Sequence, residues 1–288
     1  MKRIILCPNP VRDVNFACTE AVKHALQNRG IIPVVYPLHY VQEEWQEPEG
    51  DELEALCQQI KDADLLICFG GDGTILHLAR VTAPYQIPIL TVNLGRKGFI
   101  AELEPKDTEK IAQIAAEEDY PIQKRMMIDV TVHRGGELVH RGFALNDAVI
   151  SGKNRLIGVE VRGDGQLISR FSGDGIIVCT PTGSTAYSMA AGGPIIEPTA
   201  ENLTITPICA HALMAKSFVL APDRKVTVRV RLMGSREGYL SVDGGSFGLE
   251  DQDEITITRS KNTTRLVKAS EWSFYQIVSD KLGEVGNS

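Results

Sequence analysis

A chain of 288 residues is long for one compact domain and sufficient for two, each able to bury its own core. With 43% hydrophobic and 23% charged residues, and without an apolar run as long as a membrane span or a signal-peptide core, we expect a soluble, cytoplasmic protein. The net charge of −7 argues against nucleic acid as the main partner.

The six cysteines are widely spaced and form no Cys-x-x-Cys pair; they stand at positions 7, 18, 57, 68, 179 and 209. This spacing indicates neither a zinc site nor a disulfide framework. Since Cys7, Cys68 and Cys179 lie within apolar runs, we expect them to be small core residues.

The first third of the chain alternates between strand and helix patterns. Short apolar runs predict strands over residues 3–7, 32–36, 65–70 and 89–93. Apolar residues at helical spacing predict the intervening helices, with stripes at Phe16, Val22, Ala25 and Leu26, and at Leu53, Leu56 and Ile60, and with a third helix from Ile75. We expect the polar, acidic segment 42–52 to be a mobile connection. Strands that alternate with helices favour a parallel sheet, whose ligands gather at the carboxyl ends of the strands.

The apolar strand over residues 65–69 runs directly into a glycine-rich turn, Gly70-Gly71-Asp72-Gly73-Thr74, and a helical pattern follows. Glycines let bare backbone amides approach a phosphate, and the helix adds its unpaired N–H groups and the positive end of its dipole. We therefore predict phosphate contacts at Gly70, Gly71, Gly73 and Thr74. A second glycine-bearing turn, residues 94–99, leaves the next strand and is expected at the same edge of the sheet.

Asp72 lies at the centre of the first turn, where a carboxylate repels phosphate. It therefore either accepts a proton or reaches phosphate through a metal ion, and the alternative is that Asp72-Gly73 is an ordinary turn. The chain has no Gly-Lys-Ser/Thr sequence and the turn lacks G-x-G-x-x-G spacing, so it is neither a P-loop nor a dinucleotide fingerprint. His77, on the presumed helix, either packs or approaches phosphate.

After a helix predicted over residues 108–118, the chain changes to short strands separated by turns. It predicts strands over 127–133, 138–145 and 158–161 and turns at 134–137 and 163–165. Residues 226–231 and 255–258 alternate between apolar and polar, as half-buried antiparallel strands do. A final helical face carries Trp272, Tyr275, Val278 and Leu282. We therefore divide the chain into an α/β domain, residues 1–121 with the tail 269–288, and a β-rich domain, residues 122–268.

Two polar stretches in the β-rich part are candidates for nucleotide recognition. Asn146-Asp147 follows an apolar strand, where an amide and a carboxylate could hold adenine edges and a ribose diol; an ordinary Asn-Asp turn is the alternative. The run from Thr180 places small hydroxyl residues and glycines before a short helix, predicted over 186–191, and would expose amides and hydroxyls to a sugar or phosphate. Tyr187 offers a ring for stacking, and Gly192-Gly193-Pro194 ends the helix tightly.

These stretches together resemble the motifs of the NAD kinases. Gly70-Gly71-Asp72-Gly73-Thr74 is similar to the family's GGDGT motif, which 6-phosphofructokinases and the diacylglycerol and sphingosine kinases share more loosely. Asn146-Asp147, and the stretch from Ser172-Gly173-Asp174-Gly175 through residues 180–194, resemble the NAD kinase motifs in order and spacing. The resemblance covers nearly the whole chain.

The resemblance implies a Rossmann-like parallel α/β domain, then a β-sandwich-like NAD-binding domain, and a C-terminal helix that returns to the first domain. It implies transfer of the γ-phosphoryl group of ATP to the 2′-hydroxyl of the adenosine ribose of NAD, giving NADP. Asp72 would be the catalytic base, and Mg²⁺ or Mn²⁺ would arrive with ATP. The family's usual assemblies imply a homodimer or homotetramer, and neither nucleic acid nor a membrane is an expected partner. The substrate-binding residues would be Asp72, Gly73, Asn146, Asp147, Asp174, Thr185, Ala186, Tyr187, Ser188, Met189 and Ala190.

Three further positions are interpreted through the family pattern. Asp174 is similar to the family's Asp before the threonine-rich run, which favours a contact with the nicotinamide half of a dinucleotide. His211 fits a Pro-x-x-x-His pattern, and we expect it to be structural. Asp243-Gly244-Gly245 departs from the pattern, because many family members carry a side-chain amide after Asp-Gly, so no contact is carried over to Gly245.

Two interpretations from other classes stay open at this point. A module that binds a dinucleotide without reacting would use Asn146, Asp147 and the run from Thr180, and would leave Asp72 idle. A lipid or sugar kinase would build on the same GGDGT turn. A lipid kinase would be expected to show an exposed apolar groove and a phosphofructokinase more basic residues, and neither is evident in the sequence.

Overall fold

The computed structural model describes residues 2–38, 40–41, 44–45, 50–95, 98–153, 155–211, 215–232, 237–269 and 274–283. The first elements are β1 (Ile4–Pro8), α1 (Ala17–Gln27), β2 (Val34–Val35), β3 (Tyr40–Val41), β4 (Glu44–Trp45), α2 (Gly50–Ile60), β5 (Leu65–Gly70), α3 (Asp72–Thr82), β6 (Pro88–Asn93) and α4 (Thr108–Ala116). Those that follow are β7 (Ile122–Arg134), β8 (Glu137–Ala144), β9 (Asp147–Gly152), β10 (Ile157–Gly163), β11 (Gln166–Gly173), β12 (Gly175–Cys179), α5 (Tyr187–Ala190), β13 (Leu203–Ile208), β14 (Phe218–Leu220), β15 (Val226–Arg231), β16 (Gly238–Val242), β17 (Gly245–Leu249), β18 (Glu254–Val267) and α6 (Phe274–Gly283). Across the described ranges, no helix is both long enough and apolar enough to cross a bilayer.

The chain divides into two compact units, Met1–Lys124 with Thr264–Ser288, and Arg125–Thr263. The first unit therefore contains α6. Two long strands, β7 and β18, each run from one unit into the other. The units divide within these two strands. The domain boundaries at 121/122 and 268/269 stay predictions.

The first unit is built on a parallel sheet in the order β2-β1-β5-β6-β18. Leu66 of β5 lies between Ile5 of β1 and Ile89 of β6. Since the strands point in one direction, the carboxyl ends of β5 and β6, at Gly70 and Asn93, lie at the same edge. The predicted parallel sheet is confirmed, and both glycine-bearing turns leave this edge.

Alternate residues of these strands enter two separate cores, which is why the strands read as continuous apolar runs. Leu65, Ile67 and Phe69 pack in one core with residues of α1 and α4. Leu66 and Cys68 face the other core, with residues of α2 and α3. All five side chains are completely buried. Helices thus cover both faces of the sheet.

Two predicted features differ from the structure. The strand predicted over residues 32–36 is shortened to β2, and Ile32 is 73% exposed. Pro33, directly before β2, has no N–H to donate, which limits pairing at the start of this edge strand. Phe16 lies in a 3₁₀ turn before α1, with φ of +54°, rather than on the helical stripe. Residues 42–43 and 46–49 of the predicted connection, Trp272 and the side chain of Leu282 lie outside the described residues.

The second unit contains two antiparallel sheets. One has the order β11-β10-β15-β18, with β7 pairing to β18 and β8, and the other has the order β14-β13-β12-β9-β16-β17. Residues of both sheets form one core, with Val159 and Val228 from the first and Ile150, Ile176 and Leu240 from the second. The β-sandwich-like fold expected for this half is therefore confirmed. The predicted burial of the three cysteines at 7, 68 and 179 is confirmed as well.

Candidate functional site

The turn between β5 and α3 is shaped by close packing around Gly70. A Cβ on Gly70 would overlap the side chain of Thr74. Thr74 is only 4% exposed, and its hydroxyl accepts a hydrogen bond of 3.0 Å from Nδ2 of Asn9. Gly70 and Thr74, which the sequence placed among phosphate contacts, therefore lie inside the turn and fix its shape.

Gly71 and Gly73 face open space. No described atom lies within 4 Å of a Cβ built on either glycine. The backbone N–H groups of Thr74 and Ile75 bond to the carbonyl of Gly71, whereas the amides before them belong to the first turn of α3, which helix geometry leaves unpaired. The entry to α3 is thus an accessible cradle of amides at the positive end of a helix dipole.

The carboxylate of Asp72 joins this turn to the second glycine-bearing turn. It accepts hydrogen bonds from the backbone N–H of Phe99 at 2.7 Å, of Ile100 at 3.3 Å and of Ala101 at 3.4 Å. A Cβ on Gly98 would overlap this carboxylate. A carboxylate has about four lone-pair positions, so three amides leave room for one more donor. Sequence reasoning gave Asp72 a chemical role and did not foresee this structural one.

His77 lies half-buried on α3. Burial, and then the charge of Arg80, lower the pKa of His77 to about 4. Its ring is therefore neutral near pH 7 in this structure, and a contact with phosphate would be a neutral hydrogen bond rather than an ion pair.

In the second unit, Asn146-Asp147 and the run from Thr180 lie side by side. Asp147 of β9 pairs with Cys179 of β12. Thr180 donates its backbone N–H to the carbonyl of Asn146 at 2.9 Å and its hydroxyl to the carbonyl of Leu145. Gly183 approaches so closely that a Cβ there would overlap the Asn146 backbone. Two motifs more than thirty residues apart in sequence therefore form one surface.

Asn146, which belongs to this surface, carries a buried acceptor. The residue is 9% exposed, and its Oδ1 atom has no hydrogen-bond partner among the described residues. Leaving a buried acceptor unpaired costs about 1–3 kcal/mol, so such an atom points to a donor supplied by a ligand.

Asp243 holds the backbone of this turn in place. Its carboxylate accepts the backbone N–H groups of Leu145 at 2.6 Å, Asn146 at 2.9 Å and Asp147 at 3.2 Å. Sequence reasoning missed this role, although the Asp-Gly pair at the β16–β17 hairpin was a signal that could have marked the residue.

Asp147 is mostly buried and lies close to the carboxylate of Asp243. Burial, and then the charge of Asp243, raise the pKa of Asp147 to about 7. Burial also raises the pKa of the neighbouring Cys179 to about 12, so this thiol stays neutral. Asp147 therefore exchanges its proton within the physiological range.

The segment after Thr180 exposes a ring and buries a hydroxyl. The helix predicted over 186–191 is observed as α5, preceded by a 3₁₀ turn at Thr182–Thr185. Tyr187 is 48% exposed, whereas Ser188 is buried and bonds to the hydroxyl of Thr206 at 2.9 Å. Of the other predicted contacts, Ala190 is exposed and three are half-buried: Thr185, Ala186 and Met189.

Asp174 and His211 lie at the opposite end of β12 from Asn146-Asp147. Asp174 precedes β12 and is exposed, and its backbone N–H bonds to the carbonyl of Ile208. Five residue steps along a strand separate it from Cys179, a length of about 17 Å. His211 is exposed and bonds through its backbone to Ser172. The structure thus brings Asn146 and Asp147 to the run from Thr180 but keeps Asp174 apart from them.

In the described part of the chain, no group of three or more His, Cys, Asp or Glu residues lies together in a way that could hold a metal ion.

Family models match both halves of the chain. The ATP-NAD kinase N-terminal domain matches residues 9–120, and the ATP-NAD kinase C-terminal domain matches residues 145–269. The chain belongs to the ATP-NAD kinase family. It is 36% identical to an NAD kinase of Lachnoclostridium phytofermentans over 99% of this chain and 100% of that protein. It is 42% identical to an NAD kinase of Natranaerobius thermophilus over 76% of this chain and 78% of that protein.

Two solved structures share the fold. Yeast NADH kinase complexed with NADH matches with a TM-score of 0.79 at 23% identity, over 98% of this chain and 88% of that chain. An NAD kinase from Archaeoglobus fulgidus in complex with ATP matches with a TM-score of 0.72 at 23% identity, over 99% and 98%. The GGDGT turn alone left three families open: the NAD kinases, the phosphofructokinases and the lipid kinases. The family matches assign the chain to the first of these.

The raised pKa of Asp147 predicts a pH-dependent stability. In the folded protein Asp147 keeps its proton up to about pH 7, whereas the ordinary pKa of this side chain is 3.8. Its ionisation therefore destabilises the folded state as the pH rises from about 4 to about 7. Asp147→Asn, which cannot ionise, should therefore gain stability relative to wild type between pH 4 and pH 8, by up to about 4 kcal/mol.

Urea unfolding of both proteins at several pH values measures this gain. Asp223→Asn, at an exposed position, controls for the removal of any carboxylate and should follow wild type. A stability difference between Asp147→Asn and wild type that is the same at pH 5 and pH 8 would contradict the assignment.

Proposed function

We propose that this ATP-NAD kinase family member transfers the γ-phosphoryl group of ATP to the 2′-hydroxyl of the adenosine ribose of NAD, giving NADP, as an ATP:NAD⁺ 2′-phosphotransferase. The observation that carries the proposal is the surface formed by Asn146-Asp147 and the run from Thr180, with a buried acceptor that lacks a partner among the described residues. Adenosine carries two kinds of hydrogen-bond donor for this surface, the exocyclic amine of the base and the hydroxyls of the ribose.

In this proposal, the turn at Asn146-Asp147 binds the acceptor nucleoside. The Oδ1 atom of Asn146 accepts a hydrogen from the exocyclic amine of adenine, and ionised Asp147 accepts hydroxyls of the ribose. The exposed ring of Tyr187 supplies a stacking surface. Asp174 would contact the nicotinamide half of the dinucleotide. Because Asp174 lies at the other end of β12, this contact requires either a dinucleotide extended along β12 or the Asp174 of another copy of the chain.

The donor phosphates would lie on the cradle of amides at Gly71 and Gly73. The open space at both glycines supports close approach of phosphate to the backbone. Gly70 and Thr74 contribute by fixing the turn. Phosphoryl transfer asks little covalent chemistry of a protein, so alignment and charge stabilisation suffice.

Asp72 would act as the base. The 2′-oxygen forms a bond to the γ-phosphorus, the bond from that phosphorus to the ADP oxygen breaks, and the hydroxyl proton passes to the carboxylate of Asp72. A divalent cation carried by the nucleotide, Mg²⁺ or Mn²⁺, would neutralise phosphate charge. The phosphates of the nucleotide would hold this ion, which leaves the remaining acceptor position of Asp72 for the proton.

Related proteins support the choice of substrates. Two relatives of the same fold are named for complexes with NADH and with ATP. For this chain we propose NAD and ATP as substrates, a homodimer or homotetramer as the assembly, and a cytoplasmic location on the grounds of composition.

Incubation with ATP, Mg²⁺ and NAD, followed by an NADP-specific dehydrogenase, tests the proposed reaction. We expect NADP to form with Mg²⁺ or Mn²⁺ and not in excess EDTA, because the chain offers no phosphate-loop lysine to replace the cation. Binding of NAD without formation of NADP would indicate a sensing module instead. Full turnover in EDTA would exclude the requirement for a cation.

The role of Asp72 is tested by Asp72→Asn under saturating ATP and Mg²⁺. Asn keeps the size of the side chain but loses the basic lone pair, so single-turnover phosphorylation of NAD should slow by about 10²–10⁴-fold while NAD affinity changes little.

Gly98→Ala is the matched control, since its Cβ would displace the contact with Asp72 and keep the carboxylate. A base role requires a much larger loss in Asp72→Asn than in Gly98→Ala. Equal losses would leave Asp72 as a clamp on the loop, and a rate in Asp72→Asn within a few-fold of wild type would remove it from the chemistry.

A further inference from the structure

Asp243, like Asp147, is a buried carboxylate of the second unit that lies at the candidate site. It lies at the start of the turn between β16 and β17, with φ of +46°, and is only 5% exposed. Asp tolerates this left-handed conformation better than most residues, and Gly244 follows with φ of +92°. The hairpin turn thus directs a carboxylate inward rather than toward solvent.

The carboxylate meets three consecutive amides, those of residues 145–147. Consecutive N–H groups that converge on one point form an anion-binding concavity, which a neutral side chain fills poorly. The contact is reciprocal, because the backbone N–H of Asp243 bonds to the carbonyl of Asp147 at 3.2 Å. The pairing of β16 with β9 ends one residue before, at Val242 and Ala148. Asp243 therefore sets the path of the chain where Asn146 and Asp147 turn toward the site.

We propose that Asp243 is a positioning residue for the acceptor nucleotide, which fixes the Asn146-Asp147 turn through three amides and places a fixed negative charge against Asp147. This deepens the proposed function and rests on it. Asp243 does not touch the nucleotide in this proposal; it acts through the two residues that do.

The charge of Asp243 has a second effect on its neighbour. Among the residues that the structure describes, the titratable groups facing Asp147 are Asp243 from the β16–β17 hairpin and Cys179 from β12, and the cysteine is neutral. Ionised Asp147 is the form that accepts ribose hydroxyls, so the charge of Asp243 determines the pH above which the nucleotide binds well. Removal of that charge should shift this pH downward.

The test uses Asp243→Asn in the full chain and measures kcat and KM for NAD from pH 5.5 to 9. Asn offers one acceptor oxygen and turns an NH₂ group toward backbone donors, so KM for NAD should rise about tenfold with a smaller change in kcat. The midpoint of the pH dependence of KM should move to lower pH. Asp243→Glu keeps the charge, so its midpoint should stay at the wild-type pH while its KM rises less.

Hydrogen exchange of the peptide that contains residues 145–147 gives a readout independent of activity. These amides should exchange faster in Asp243→Asn than in wild type. Asp253→Asn is the matched control, because Asp253 is a fully buried carboxylate at another hairpin, bound to Arg134 and to the amide of Glu250. This control should lower stability without changing KM, the pH midpoint or exchange at residues 145–147.

The outcomes separate the two proposals. Wild-type protein that forms no NADP contradicts the proposed function, and the exchange data still test Asp243. Active wild type with unchanged KM, midpoint and exchange in Asp243→Asn overturns the positioning role, as does an Asp253→Asn control that changes all three equally. If Asp243→Asn does not fold, a midpoint in Asp243→Glu shifted to lower pH overturns the proposal.

Discussion

Three consecutive backbone amides bound to one buried carboxylate, that of Asp243, fix the part of the chain on which the candidate site depends. Backbone groups in a turn have no strand or helix to satisfy them, and leaving them unpaired inside a protein costs about as much as each lost hydrogen bond. With the amides held on one side and the Asn146 carbonyl held by Thr180 on the other, the side chains of Asn146 and Asp147 have a defined direction.

The first unit uses the same arrangement. The carboxylate of Asp72 accepts the amides of residues 99–101 and so joins two glycine-bearing turns at the carboxyl edge of the parallel sheet. In both units an acidic side chain accepts consecutive backbone N–H groups at a turn that we propose to bind the ligand. In the proposed mechanism one carboxylate, that of Asp72, would therefore serve both structure and chemistry, and its three amide contacts leave it a single further donor.

Local patterns predicted the parts of the fold that depend on local sequence. Period-two alternation identified β15, and apolar runs followed by glycine identified β5 with its turn, because burial on one or two faces dictates those patterns. The clamps at Asp72 and Asp243 connect residues 27–29 and 96–98 positions apart, and no local pattern carries such contacts. The strand predicted over residues 32–36 was too long because Pro33, which cannot donate a backbone N–H, was not weighed. The motif around Asp174 did not predict its distance from Asn146-Asp147. That distance follows from the register of β12, in which Asp174 lies one strand length from Cys179.

A crystal structure of the protein with NAD bound tests most directly whether the turn at Asn146-Asp147 is the nucleotide site. We predict that Oδ1 of Asn146 accepts a hydrogen bond from the adenine amine at about 2.7–3.2 Å, with the ribose hydroxyls on Asp147 and the amides of residues 145–147 still on Asp243. NAD bound elsewhere, with Asn146 Oδ1 unpaired, would contradict the account.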